Sequence, residues 1–176
     1  QLTRSSVREL VDTGLSDEDT ERLASVAGET EGVLNVHDLR SRRMGSDILV
    51  DVHLVVKPEV SVSEGHQVGM QVLQRMREAM PDISDISFHI DAENDQRGTI
   101  TPPALPTRRN IHEWLQTRVP ELTESQYQLR LHYLGNQVHV ELFLEQNAAS
   151  TGLPELLREK LDEPEWLGAL RIWQSA

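Results

Sequence analysis

Apolar and polar residues alternate from Ile48 to Val56: Ile48, Val50, Val52 and Leu54 fall on one side and Leu49, Asp51, His53 and Val55 on the other. Period two marks a strand with one face covered, and the more apolar first set is the buried one. Val33 to Arg43 reads as the strand before it and Met44 to Asp47 as the turn that makes the two a hairpin, which Lys57-Pro58 ends. The spacing then becomes helical. Val68, Val72, Met76 and Met80 recur along a helix opened by Ser61 or Ser63, and Gly65 and Gly69 let it approach a sheet closely. Pro81-Asp82 closes that helix, and Ile83 to Asp91 is a third strand, with Ile86, Phe88 and Ile90 on one face and Ser87, His89 and Asp91 on the other. Upstream, Ser16 caps a helix with acids in its first turn, where the helix dipole favours them; Leu23, Val26 and Ala27 form its apolar side and Gly28 its stop. Ser6 to Thr13 reads as a further short helix.

Helix, strand, strand, helix, strand packs as two helices over one face of a three-stranded sheet, leaving the other face open. Ala92 to Thr107 is polar and then proline-rich, a semi-rigid linker. The same order then returns: a helix over Asn110 to Arg118, a hairpin of Tyr127 to Leu134 and Gln137 to Glu145 around Gly135-Asn136, a helix over Leu153 to Leu161, and a strand over Leu167 to Trp173. The expected class is α+β, an αββαβ unit followed by a second, diverged αββαβ unit that is its duplicate. The expected divisions are residues 1–15 as a connector, 16–93 as the first unit, 94–108 as the linker and 109–176 as the second unit.

The alternation also sorts the candidate chemistry. Val33, Asn35, His37 and Leu39 share a face opposite Leu34 and Val36, so His37, His53, His89 and Asp91 all fall on the open side of the first sheet, with His66 near its end in the first turn of the long helix. Neutral imidazoles and a carboxylate converging there form a first shell for zinc. The same pattern also describes a solvated polar face, and spacing this nonlocal does not choose between the two. The chain has no cysteine, so a transition-metal site must use imidazole and carboxylate. Its formal net charge of -12 disfavours nucleic acid and suits cations. No apolar run is long enough to span a bilayer, and a start at Gln1 reads as a piece of something longer.

GVLNVHDLRSRRMG, ILVDVHLVV, SVSEGHQVGMQVLQRM and ISFHIDAE together resemble the cytosolic C-terminal domain of the cation diffusion facilitator family of divalent-cation efflux transporters, over residues 7–93. Ser41 stands where that family often has threonine. The resemblance implies a ferredoxin-like, metallochaperone-like fold and metal ligands at His37, His53, His66, His89 and Asp91, which hold two neighbouring ions near a dimer interface. The implied ion is zinc first, with cadmium, iron, manganese, nickel or cobalt also accepted by such ligands. The implied partners are a second copy, in a V-shaped homodimer whose opening responds to metal, and the transmembrane domain of the same parent chain, at the cytoplasmic side of a bacterial inner membrane. No enzymatic activity, nucleic acid or small-molecule substrate is implied.

In the second half, Phe143 falls where His53 does and Trp173 near where His89 does, so the duplicate keeps the fold and loses the site. His139 and Glu141 form an i, i+2 pair that could hold a metal but reads rather as a solvated polar face, and Trp114, Trp166 and Trp173 read as core and interface aromatics. Two rivals remain: a small-molecule-binding regulatory domain of the same class with incidental histidines, and a metal-dependent hydrolase. No glutamate is placed by motif as the general base a hydrolase needs.

Overall fold

Ser16 has an extended backbone and its hydroxyl accepts from the Asp19 amide at 3.1 Å, which starts helix α1 (Asp17–Gly28). The chain then runs through β1 (Asn35–Met44), β2 (Asp47–Val55), α2 (Val62–Ala79) and β3 (Ile83–Asp91). This computed structural model describes residues 14–94, 104–146 and 152–174. The helix expected over Ser6 to Thr13 lies outside them. The chain divides into two compact units, residues 1–98 and 99–176.

In the first unit the strands lie in the order β1-β2-β3, with β1 antiparallel and β3 parallel to β2. Gly45 makes the hairpin turn at φ +65°, a conformation glycine adopts without strain. Ile48, Val50, Val52 and Leu54 pack with Leu23 and Ala27 of α1, Val72 and Met76 of α2, and Ile83 and Ile86 of β3. Each large side chain so buried contributes about 1.5–3 kcal/mol, more than helix propensity supplies, so the sheet holds the helices in place. Ser61 caps α2 by accepting from Glu64 N. Gly69 carries α2 across Phe88 so closely that a Cβ there would lie 2.1 Å from its ring.

Alternation along β1 differs from expectation. Asp38 has φ +53° and the register slips between His37, opposite His53, and Arg40, opposite Asp51, so one extra residue bulges out of β1. The bulge leaves His37 and Arg40 on the same face three positions apart and turns Leu39 into the core, where the simple period puts it on the open face. Val33, which precedes the strand, also packs against the core, and Leu34, expected to anchor it, is 59% exposed. A second irregularity, between Ile48 and Leu49 in the β2–β3 register, lets Ile83 and Ile86 both face inward.

The second unit repeats the order as α3 (Arg108–Arg118), β4 (Tyr127–Leu134), β5 (Gln137–Leu144), α4 (Leu153–Lys160) and β6 (Leu167–Gln174), again antiparallel then parallel. A 3₁₀ turn at Glu124–Gln126, which the sequence reading missed, precedes β4. Helix α3 begins two residues before its expected start because Thr107 and Asn110 form a capping box. The core here is Ile111, Leu115, Val119, Leu122, Val138, Val140, Leu142, Leu144 and Leu157. Trp114 and Trp166 meet edge to face at 5.3 Å beside it, while Trp173 is 48% exposed.

Candidate metal centre

The register sets the first unit's histidines in a row: His37 lies opposite His53 across β1 and β2, and His53 opposite His89 across β2 and β3. Asp91 stands two residues beyond His89, opposite Val55, so its carboxylate reaches back over the row. The helices cover the other face, and the row faces away from them.

Three side chains converge. Asp91 Oδ2 accepts from His37 Nε2 at 3.1 Å and from His53 Nδ1 at 2.8 Å. An ionised carboxylate only accepts, so these are the ring nitrogens that carry hydrogen in this arrangement. One ligand atom from each of the three lies within 4.8 Å of the other two, the only such group of three among the described residues. His37 is 7% exposed and its second nitrogen, Nδ1, is buried without a hydrogen-bond partner. Leaving a polar atom so costs about 1–3 kcal/mol.

His89 is exposed and stacks on His53, rings 4.4 Å apart and 14° from parallel, one strand further along the row. His66 is exposed on α2, its ring 5.8 Å from that of Phe88, and is not in the converged group. Of the five residues singled out from sequence, then, His37, His53 and Asp91 meet, His89 adjoins them, and His66 stands apart.

The donor set fits a divalent ion. Two nitrogens and an oxygen bonded to zinc at ~2.0–2.2 Å sit roughly 3.3 Å from one another, near the 3.1 and 2.8 Å that separate Asp91 Oδ2 from the two imidazoles. A metal-bound imidazole is neutral with its hydrogen on the nitrogen away from the ion, so binding would require each ring's hydrogen to sit on its other nitrogen. No helix among the described residues is long and apolar enough to cross a membrane.

Known proteins match the same half of the chain. Metal tolerance protein C1 of Arabidopsis thaliana is 40% identical over 86 residues, 49% of this chain and 18% of that protein. The cation-efflux pump FieF of Pectobacterium atrosepticum is 31% identical over 100 residues, 54% of this chain and 33% of the pump. The chain thus spans a third or less of the length of these relatives. A solved MamM CTD in a manganese form is 27% identical, covering 44% of this chain and 98% of that one, with a TM-score of 0.42. The family model described as cation efflux protein, cytoplasmic domain, matches residues 15–93, from the residue before the α1 cap to just past Asp91. Residues 15–93 of this chain are thus similar to the cytoplasmic domain of cation efflux proteins.

Proposed function

We propose that the first unit is the metal-sensing and dimerisation domain of a divalent-cation efflux transporter, with zinc as the first ion to test. The observation that carries this reading is the convergence of His37 Nε2, His53 Nδ1 and Asp91 Oδ2 on an open sheet face. These three residues hold one ion. His89 and His66, with the second oxygen of Asp91, supply donors for a neighbouring one. A bound cation joins β1, β2 and β3 at a single point.

The open face is also where a second copy belongs, since a two-fold axis buries the same patch of both subunits. The site regulates only if it binds metal more tightly in the closed form of the V-shaped homodimer than in the open form. The signal passes through residues 1–15 to a transmembrane region of the parent chain at the cytoplasmic side of a bacterial inner membrane. Residues 94–108 link to a second unit that is a diverged duplicate, and no step of this function is catalytic.

Isothermal titration of the whole chain with zinc tests the site. Binding in the micromolar range or tighter is expected, falling at least tenfold in His53→Ala and in Asp91→Ala. An affinity unchanged by either substitution overturns the reading, as does an absence of binding.

A further inference from the structure

The two hairpins can be compared residue by residue outward from their turns. Arg40 opposite Asp51 corresponds to Arg130 opposite Glu141, and the row His37, His53, His89 corresponds to Gln128, Phe143, Trp173. The near-parallel orientation persists where the chemistry has changed: Phe143 and Trp173 lie 12° from parallel at 6.1 Å, His53 and His89 14° from parallel at 4.4 Å.

One further difference decides what the second face can do. β4 has no counterpart of the bulge, its register running unbroken from Gln128 to Arg130, so no residue corresponds to Asp38. In the first unit Asp38 pairs with Arg40 at 2.8 Å. Glu141 does not take that place, because it is held by Arg171 at 3.5 Å and His132 at 3.4 Å. Arg130 therefore has no carboxylate partner among the described residues, and its guanidinium lies over the Phe143 ring at 4.7 Å. Beside it Gln128 Nε2 donates to Glu145 Oε1 at 3.1 Å, holding an exposed carboxylate in place. Arg130, Glu145, Phe143 and Trp173 line one cavity of about 270 Å³.

From this arrangement we infer that the open face of the second unit binds a free α-amino acid with a large apolar side chain, its carboxylate on Arg130, its ammonium on Glu145 and its side chain against Trp173. A guanidinium matches a carboxylate fork, and a carboxylate beside it repels a plain anion but accepts an ammonium. The aromatic pair supplies the apolar wall. This inference does not depend on metal binding in the first unit.

The test is calorimetric titration of the whole chain with L-phenylalanine, N-acetyl-L-phenylalanine and phenethylamine, followed also by tryptophan fluorescence. L-phenylalanine is expected to bind saturably, and the two analogues, each lacking one charge, at least tenfold more weakly. Arg130→Met and Glu145→Gln should each lower L-phenylalanine affinity about tenfold or more, the loss of one charged hydrogen bond, with zinc affinity unchanged. Arg130→Lys, which keeps the charge and the exposed position, should retain part of the affinity. Absence of saturable L-phenylalanine binding overturns the assignment. So does equal binding of the acetylated analogue, or affinity that survives Arg130→Met.

Discussion

At the scale of single residues, charge placement separates the two units. The first places two imidazoles on one carboxylate oxygen. The second places Asp162 between Arg118, whose Nη2 donates at 2.8 Å, and the indole N–H of Trp114 at 3.1 Å. The hydrogen bond from Arg118, with a smaller one from Trp114, holds the Asp162 carboxyl below its ordinary range. A folded-state value below the unfolded one stabilises the protein above the unfolded value, about 3.9, and that contribution is lost as pH falls through the depressed folded value. Asp162→Asn should therefore lower the urea midpoint of the second unit at pH 7, and the difference from the parent should shrink as pH falls below the unfolded value. A difference that is constant with pH would show that the ion pair is not its origin. The carboxylate is exposed, so the effect is small.

At the scale of elements, two backbone details carry the site, and each predicts a substitution. Helix α2 crosses β3 at Gly69, with no room for a methyl beside Phe88. Gly69→Ala should cost about 1–3 kcal/mol by urea denaturation, in spite of alanine's better helix propensity, because either the ring or the helix must move. A stabilised variant would mean that the approach is looser. Asp38 holds a left-handed conformation that costs a residue with a Cβ roughly 1 kcal/mol, so Asp38→Gly should leave stability unchanged or raised, whereas Asp38→Val should lower it. The same bulge marks where sequence stopped being legible. Period-two alternation is a local property, and it placed the core face of β2, the open face of β3 and both hairpin turns correctly. Nothing in VHDLRSRR signals that one residue leaves the ladder, so Leu39 was assigned to the wrong face and the count that put His37 on the open side survived because the slip lies beyond it. His53 is legible from the register set at a short turn, and His37 and Asp91 from the alternation within their own strands. The placement of His66 depends on how a helix is docked, which no spacing in the chain records.

At the scale of the whole molecule, the proposed function makes a claim about shape and the cores make a claim about stability. If metal draws two copies together over the open face, small-angle scattering of the chain should show a dimer whose radius of gyration falls on adding zinc; an unchanged curve at saturating zinc would remove closure from the mechanism. The stability claim follows from composition. Each unit closes a core from its own strands and helices, and all three tryptophans, Trp114, Trp166 and Trp173, lie in the second. Indole fluorescence thus reports unfolding of the second unit, while far-ultraviolet circular dichroism reports both. A ligand that binds only the folded first unit stabilises that unit by about 2.7 kcal/mol at a hundred times its dissociation constant. Zinc at that level should raise the midpoint of one dichroism transition and leave the fluorescence transition where it was, and in His53→Ala neither should move. A shift of the fluorescence transition by zinc in the parent chain, abolished in His53→Ala, would mean that the two cores unfold as one and that metal at the first sheet acts on the second.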